Sequence, residues 1–356
     1  MEFIIESALK QNKDSPMEEG MVGQANIKVV GAGGAGGNMA TWLYKKGIKG
    51  AEVICVNTDK QHLDIHEADR KILIGKDLTK GLGAGGYPKV GSEAAKESST
   101  ELKEVMKDTD MVFICAGMGG GTGTGAAPIV AKIAKDMGAI VIGTVTMPFN
   151  LERARVDKAE FGLQELRAVS DSVIVIDNER LVAIAGNLPI QQAFAVANEL
   201  VATMIKGIVE TIAVPSLVNL DYADVKAIMS DSGVCAIGVG ESDSENRVEE
   251  ATRRALTNPL LDVNYKGATG ALIHVAGGQD LRLDEVSKIG EIVTEALDKD
   301  ANVIWGARIS DDMKDRVRVM TIIAGVNSPY ILGKNDSSRS HAESRAFGRE
   351  LGIDIL

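Results

Sequence analysis

Three glycine-rich runs in this sequence have the composition of loops that hold phosphate through backbone amides. They are Gly31–Gly37, Lys80–Gly86 and Gly117–Gly125, the last of which reads Gly-Met-Gly-Gly-Gly-Thr-Gly-Thr-Gly. Glycine lets the main chain approach phosphate oxygens, and a helix that begins after such a loop adds a favourable dipole. The run Gly117–Gly125 is the densest and lies between an apolar segment and a helical pattern, so it predicts a nucleotide-binding loop.

The first run is ambiguous when it is taken alone. Gly31–Gly36 follows a strand-like segment and satisfies the GxGxxG pattern, which is typical of NAD-binding enzymes. An NAD-dependent oxidoreductase is therefore one hypothesis, and a simple tight turn between strand and helix is another. Against NAD, no acidic residue closes the second strand at the usual distance of about 20 residues, because Asp59 comes later.

The third run narrows the class of nucleotide-binding protein. No GxxxxGK[ST] pattern occurs in the chain, which excludes a P-loop NTPase. Backbone amides, threonine hydroxyls and a helix dipole would have to hold the phosphates without a lysine. A merely flexible linker does not explain threonines between the glycines, nor a position between a core strand and a helix.

Apolar strands alternate with helical patterns in the first half of the chain, which predicts a parallel sheet covered on both faces. A helix is predicted over Ser92–Lys107, and another with Pro128 near its first turn and Gly138 just past its end. Since parallel strands end at one edge, the three glycine runs should converge there. The predicted strands are Ile27–Val30, Val53–Val56, Lys71–Ile74, Met111–Ala116, Ala139–Val145 and Ser172–Ile176.

A long pattern from Pro189 to about Ala213 is apolar nearly all round, which predicts a helix buried between two domains. A smaller α/β domain follows, with strands predicted at 235–239, 270–275, 303–309 and 317–323 and helices at about 246–257 and 283–297. The predicted organisation is a flexible arm at 1–24, a nucleotide-binding domain at 25–189, a central helix at 190–213, a second domain at 214–327 and a flexible tail at 328–356.

The composition excludes several classes of partner and site. The net charge of −11 argues against non-specific nucleic-acid binding, which needs a basic footprint. The three cysteines lack pairing spacing and are expected to be buried thiols. His62 and His66 share an i,i+4 spacing, but no further ligand pattern accompanies them, so we expect a solvated helix face and no metal site. Neither a signal peptide nor a bilayer-length apolar run is apparent, so a cytoplasmic protein is expected.

The segment Gly119–Gly125, followed by Ala-Ala-Pro, resembles the GTP-binding motif of the tubulin/FtsZ GTPase family, in the form carried by cell-division members. The resemblance covers roughly residues 25–325 and implies the family's α/β fold. Gly240–Glu245 and Gly267–His274 resemble archaeal members in particular. Further matching segments are Gly31–Asn38, Asn57–Asp59, Leu82–Gly86, Pro148–Glu152 and Asn219–Asp224.

The resemblance implies that GTP and GDP are bound, with Mg²⁺ accompanying the nucleotide. Arg153 is the alternative to Arg155, because the chain is one residue shorter than the family pattern there. Asn198 would read the guanine edge, although a self-satisfied buried amide is an alternative reading. The implied contacts are Gly34, Ala35, Gly36, Gly37 and Asn38 for phosphates and sugar, Gly85 and Gly86 near the γ-phosphate, Gly121, Thr122 and Gly123 for the phosphates, Glu152 and Arg155 for the ribose, and Phe194 and Asn198 for guanine.

Asn219, Asp221 and Asp224 open a predicted helix at Tyr222–Met229, where a polar residue can cap the helix. Capping accounts for one of the three, or two. The resemblance implies that they instead reach the nucleotide of the next subunit in a filament, where the carboxylates of Asp221 and Asp224 polarise the attacking water and hold the cation. Head-to-tail contact does not close on itself and so gives filaments.

The resemblance further implies a GTPase that is activated by assembly and that forms the cytokinetic ring at the division site. A tubulin-like scaffold that serves cell shape is an alternative in this class. The tail ends in Gly352–Leu356, which could dock a membrane-anchoring division protein or could be a disordered end.

Overall fold

A computed structural model describes residues 25–326 of the chain, except 215, 219, 231–232 and 258–263. Its first domain is built on a parallel sheet with strand order β3-β2-β1-β4-β5-β6. The arm at 1–24, Asn219 and the tail at 328–356, with Gly352–Leu356, lie outside the described residues. The strands are β1 (Ile27–Ala32), β2 (Ala51–Asn57), β3 (Arg70–Leu73), β4 (Met111–Gly117), β5 (Ile140–Met147) and β6 (Ser172–Asp177).

Helices cover this sheet, and β1 is buried along its whole length, as a continuous apolar strand between two layers must be. The predicted parallel sheet is therefore confirmed. The helices of this domain are α1 (Gly33–Lys45), α2 (Lys60–Ile65), α3 (Lys76–Thr79), α4 (Pro88–Glu97), α5 (Ser99–Met106), α6 (Thr122–Asp136), α7 (Ala154–Val169) and α8 (Asn178–Ala185).

The single helix predicted over Ser92–Lys107 was wrong. The chain forms α4 and α5 in its place, with Ser98 between them at φ −91° and ψ 15°. The Ser98 hydroxyl accepts a hydrogen bond from the Gly75 backbone N–H at 3.1 Å. Serine side chains that bond to backbone groups compete with helix continuation, which the apolar period alone does not reveal.

The densest glycine run is only partly a loop, because α6 already begins at Thr122. Pro128 therefore lies in the second turn of α6 and not near its first turn. Gly138 does end the helix, with a φ of 91° that a residue with a side chain rarely adopts. The short loop brings the dipole of α6 directly against the end of β4.

The second domain follows the long helix α9 (Ile190–Ala213). Its strand β7 extends the first sheet through only two pairs, Ser172 with Gly233 and Val173 with Val234. The continuous strand order then runs β7-β10-β8-β9, in which β10 is antiparallel to both of its neighbours. The elements are α10 (Tyr222–Met229), β7 (Gly233–Ser242), α11 (Arg247–Leu256), β8 (Gly270–Gly277), α12 (Leu283–Glu295), β9 (Asn302–Ile309) and β10 (Val317–Ala324).

Helix α9 connects the two domains. Glu199 accepts a hydrogen bond from the Trp42 indole N–H at 2.8 Å and pairs with Lys46 at 2.5 Å, which ties α9 to α1. On the side of the second sheet, a Cβ added at Gly207 would come within 2.7 Å of the Met320 sulfur, so a larger residue there would have to displace the Met320 side chain. Among the described helices, α9 alone is long and apolar enough to cross a membrane by length and composition.

Candidate functional site

The first and third glycine runs meet at the carboxyl edge of the parallel sheet. A Cβ added at Gly33 would lie 2.7 Å from the Gly123 backbone nitrogen, so the two runs are in direct contact. The hydroxyls of Thr58, which follows β2, and Thr122 are hydrogen bonded at 2.7 Å. The predicted convergence of loops from separate strands is therefore present, and it creates one continuous edge of backbone amides.

The second glycine run joins the same edge. The Gly83 N–H donates to the Thr58 carbonyl at 3.1 Å, which fixes the loop beside β2. A Cβ added at Gly121 would lie 2.8 Å from the Ala84 Cβ and 3.2 Å from the Gly86 nitrogen. The loop 82–87 therefore closes one side of the space above α6.

Several backbone donors face this space without a protein acceptor. The first turn of any helix leaves its N–H groups without intrahelical partners, and both α1 and α6 begin here. In the described part of the chain, the Gly86 N–H also donates to no protein group. Gly34 is half-buried, whereas Ala35 and Asn38 are exposed. Two helix N-termini with free amides form a ready-made anion site.

Two predicted contact residues in α1 face the protein interior. A Cβ at Gly36 would lie 2.2 Å from the Cys115 carbonyl oxygen, and one at Gly37 would lie 2.4 Å from Nε2 of His66. Close packing of α1 on β4 thus accounts for glycine at position 36, and packing against the His66 ring accounts for glycine at position 37. Any contact that they make with a ligand would come from their backbone alone.

An aromatic pair lies at the β5 and β6 side of the edge. The Phe149 and Phe194 ring centroids are 6.1 Å apart, and Phe194 is 40% exposed, so it presents a ring face on which a base could stack. Asn198, one turn further along α9, is half-buried and makes no hydrogen bond to any described residue. The alternative reading of Asn198 as a self-satisfied amide is therefore not supported. Phe149 was not predicted to act here, although it lies in the motif segment that follows β5.

Glu152 and Arg155 are brought together beside the aromatic pair. Arg155 Nη1 lies 2.5 Å from Glu152 Oε2, and a Cβ at Gly119 would be 2.8 Å from the Arg155 carbonyl. Both arginines are exposed, but Arg153 precedes α7 with a φ of 38°. Of the two arginines considered, Arg155 is the one that contacts both Glu152 and the Gly117–Gly121 turn.

The expectation that His62 and His66 form a solvated helix face was wrong. The two rings contact each other edge to face at 4.7 Å, and His66 is buried, with Nε2 lacking a hydrogen-bond partner. His66 packs against Gly37, and the His62 ring lies 3.0 Å from where a Cβ of Gly34 would be. Burial lowers the pKa of His66 to about 4, with smaller contributions from His62 and Lys71.

The buried His66 makes the stability of the chain depend on acid. Its folded-state pKa lies below the ordinary value of 6.5, so the unfolded chain binds more protons between those values. The free energy of unfolding should therefore fall as pH drops from about 6.5 towards 4, by about 2 kcal/mol between pH 7 and pH 5 from this group. Urea unfolding of the parent and of His66→Gln at pH 7 and at pH 5 measures this change in the free energy of unfolding. An equal loss in both proteins contradicts the assignment.

Asp221 and Asp224 form a reciprocal capping box at the start of α10. Asp221 Oδ1 accepts from the Asp224 N–H at 2.8 Å, and Asp224 Oδ2 accepts from the Asp221 N–H at 3.2 Å. Capping therefore accounts for both aspartates, which is the most that the sequence reading allowed it. It occupies one oxygen of each carboxylate, and the other oxygen of each has no partner among the described residues.

These aspartates lie at the amino edge of the sheet, opposite the glycine runs. The neighbouring Tyr222 hydroxyl donates to the Asp110 carbonyl at 2.8 Å, immediately before β4 begins. Burial, followed by the nearby Asp110 and Asp171 carboxylates, raises the pKa of Tyr222. The seven residues of β4 separate the two edges by about 20 Å. Asp221 and Asp224 therefore cannot reach a ligand held by the glycine runs of the same molecule.

Metal-binding side chains are sparse at the edge. The described residues contain no group of three or more His, Cys, Asp or Glu side chains placed to hold an ion. Asp59, which caps α2, and the Thr122 hydroxyl offer side-chain oxygens beside the glycine runs. This donor set suits Mg²⁺, which keeps several waters and binds through one or two protein oxygens together with substrate phosphates.

Comparison with protein families gives two matches that together span most of the described residues. The GTPase domain of the Tubulin/FtsZ family matches residues 26–186. The C-terminal domain of the FtsZ family matches residues 233–327.

Individual relatives agree. Cell division protein FtsZ 2 of Methanocaldococcus jannaschii is 55% identical over 363 residues, which cover 99% of this chain and 96% of the relative. Cell division protein FtsZ 2 of Haloferax volcanii is 50% identical over 357 residues, covering 97% and 89%. A solved empty FtsZ dimer of M. jannaschii has a TM-score of 0.79 at 49% identity, covering 91% of this chain and 92% of that one.

Proposed function

The chain belongs to the tubulin/FtsZ family and is a cell-division, tubulin-like GTPase; from this premise we propose that it polymerises head to tail and hydrolyses GTP at sites that each need two subunits. The filament forms the cytokinetic ring in the cytoplasm at the division site. Family membership excludes the hypothesis of an NAD-dependent oxidoreductase. The cell-division names of the relatives favour a role in division over a role in cell shape.

The observation that carries the proposal is the separation of the two half-sites. The amide cradle, formed by the first turns of α1 and α6 and by the loop 82–87, lies at the carboxyl edge of the sheet. The free carboxylate oxygens of Asp221 and Asp224 lie at the amino edge, about 20 Å away. A subunit stacked on the next along this axis brings one edge against the other. The site is then complete only between subunits, and assembly and hydrolysis become a single event.

The division of labour follows from the chemistry of phosphoryl transfer, which relies on positioning and electrostatics. The amides of α1, α6 and the loop 82–87 hold the phosphate chain. Phe194 stacks on guanine, Asn198 reads its edge, and Glu152 with Arg155 contacts the ribose. The carboxylates of Asp221 and Asp224 from the next subunit, with Asn219, accept hydrogen bonds from the attacking water and orient it. Mg²⁺ accompanies the nucleotide and offsets its charge.

Exposed apolar side chains at both edges support head-to-tail contact. Leu82 and Leu151, beside the cradle, are 83% and 80% exposed, and Leu217, shortly before Asp221, is 71% exposed. Such side chains at two opposite ends fit a heterologous interface, which propagates without closing. A solved relative is a dimer. The tail segment Gly352–Leu356 remains our candidate for docking a membrane-anchoring division protein.

Assembly and turnover should rise together with protein concentration. GTP-dependent sedimentation and phosphate release are measured on the same samples across a concentration series. Below the assembly threshold each subunit has only half a site, so phosphate release per subunit should be near zero and should rise sharply at the threshold. Turnover per subunit that stays constant across the threshold would mean that one molecule carries a whole site.

A further inference from the structure

Lys158 places a cation beside the amide cradle. The sequence pattern had predicted that the phosphates are held without a lysine. It lies on α7, one turn after Arg155, and is half-buried. Its Nζ donates to the Gly86 carbonyl at 2.9 Å and lies 5.6 Å from the centre of the Tyr87 ring. The side chain therefore connects the helix after β5 with the glycine loop after β3.

The carbonyl and the N–H of Gly86 point to two different neighbours. Its carbonyl accepts from Lys158, whereas its N–H lies 3.2 Å from where a Cβ at Gly121 would be. Its φ of 77° is in the left-handed region that favours glycine, and a Cβ there would meet nothing within 4 Å. The space beside the Gly86 Cα is therefore open, and its carbonyl and N–H are shared between Lys158 and the turn at Gly121.

The strand order indicates which end of a bound nucleotide lies near Lys158. Phe149 follows β5 and contacts Phe194 on α9, whereas the loop that holds Gly86 comes from β3 and returns to Gly121. A base stacked at the aromatic pair directs its phosphate chain from β5 across β4 towards that loop. The outermost phosphate is then the one that approaches Gly86.

Lys158 also differs from the neighbouring arginine in its charge balance. Arg155 is paired with the Glu152 carboxylate, whereas no carboxylate among the described residues pairs with Lys158. A lysine ammonium has three donors, and the Gly86 carbonyl uses one of them. A phosphate oxygen carries a negative charge that the Gly86 carbonyl lacks, so the ammonium gains a full ion-pair attraction when it exchanges Gly86 for phosphate.

We propose that Lys158 is a substrate-specificity residue whose ammonium binds the terminal phosphate of GTP and returns to the Gly86 carbonyl when that phosphate has left. The inference rests on the proposed GTPase function and adds a discrimination between GTP and GDP. The ligand class is a nucleoside triphosphate. When Lys158 binds the phosphate, it releases the Gly86 carbonyl and so frees the loop 82–87. Because this loop carries the exposed Leu82, the bound nucleotide would affect the head-to-tail contact between subunits.

The test compares the affinities for a fluorescent non-hydrolysable GTP analogue and for fluorescent GDP, below the assembly threshold. Lys158→Gln keeps an amide donor for Gly86 but loses the charge, and we expect about tenfold weaker binding of the GTP analogue with GDP affinity at the parent value. Lys158→Arg restores the preference for the triphosphate. Lys132→Gln, which removes an exposed charge from α6, is the matched control and binds both nucleotides as the parent does.

The GDP measurement also controls for folding, since a disrupted loop would lose both ligands. If Lys158→Gln bound both nucleotides equally more weakly than the parent, Lys158 would only hold the loop 82–87 in place, and the proposal would be overturned. An unchanged GTP affinity would overturn it as well. A parent chain that binds neither nucleotide would instead refute the proposed GTPase function, and this inference with it.

Discussion

Replacing Asp221 by asparagine should reduce GTP turnover by roughly 10²-fold or more, because a positioned carboxylate typically contributes that much to proton transfer. GTP binding and filament formation should persist, since the cradle lies about 20 Å away at the other edge of the sheet. Phosphate release at a concentration well above the assembly threshold measures the loss. Sedimentation of the same samples shows whether filaments still form.

The asparagine variant also separates catalysis from capping. Asp221 caps α10, and asparagine caps a helix as well as aspartate does, whereas alanine removes the cap at a cost of about 1 kcal/mol. If the carboxylate is needed for hydrolysis, Asp221→Asn and Asp221→Ala both lose turnover, and only the alanine variant melts earlier. If capping were the whole role, Asp221→Asn would hydrolyse GTP at the parent rate. Asp224→Asn, at the other half of the capping box, should behave like Asp221→Asn.

The first sheet could be predicted from the sequence because its signal is local. Strands buried on both faces must be continuously apolar. The segments that form β1 and β4 have this pattern, and every residue of β1 is buried in the core. The convergence of the glycine runs then follows from one rule about parallel strands. Tyr222–Met229 was also predicted at its observed bounds, from an acidic start and an apolar face.

Features that depend on contacts between distant segments could not be predicted in this way. The break at Ser98 depends on the Gly75 amide, and the burial of His66 depends on Gly37 of another helix. Lys158 belongs to no glycine motif and reaches Gly86 across 72 residues of sequence. Each is a contact between distant segments that no local hydrophobic period encodes. The sequence did show that the glycine runs contain no P-loop lysine, but it did not show which lysine lies near them.

The position of Asp221 relative to the cradle is the sharpest case. From sequence, capping could explain at most two of the three polar residues at this helix start, and the structure uses both aspartates in one capping box. The reason to expect catalysis is now geometric. Each carboxylate keeps one oxygen free at an edge that carries an exposed Leu217, and the cradle lies at the opposite end with an exposed Leu82.

Replacing Gly121 by alanine should weaken GTP binding by about 10²-fold, because losing a hydrogen bond to a charged phosphate costs about 1.5–3 kcal/mol and about 1.4 kcal/mol is tenfold in affinity. The new Cβ would lie 2.8 Å from the Ala84 Cβ and 3.0 Å from the Tyr87 nitrogen, so the loop 82–87 must move away from α6. The backbone of Gly121 is in the right-handed helical region, so alanine adds no strain of its own. Titration with fluorescent GTP measures the loss.

Gly290→Ala is the matched control, because a Cβ at that helical glycine would meet nothing within 4 Å. It should bind GTP as the parent does. Equal melting temperatures for Gly121→Ala and the parent would show that the loss is local. A Gly121→Ala variant with parent affinity would mean that the loop 82–87 does not form part of the cradle.

Mixing the two inactive variants tests whether the half-sites belong to different subunits. Asp221→Asn keeps an intact cradle, and Gly121→Ala keeps an intact carboxylate edge. In a random head-to-tail copolymer of equal parts, about one interface in four joins the intact cradle of one to the intact carboxylates of the other. Turnover should then rise above the sum of the separate variants, towards that fraction of the parent rate. A site contained within one molecule would gain nothing from mixing, since neither variant carries both halves.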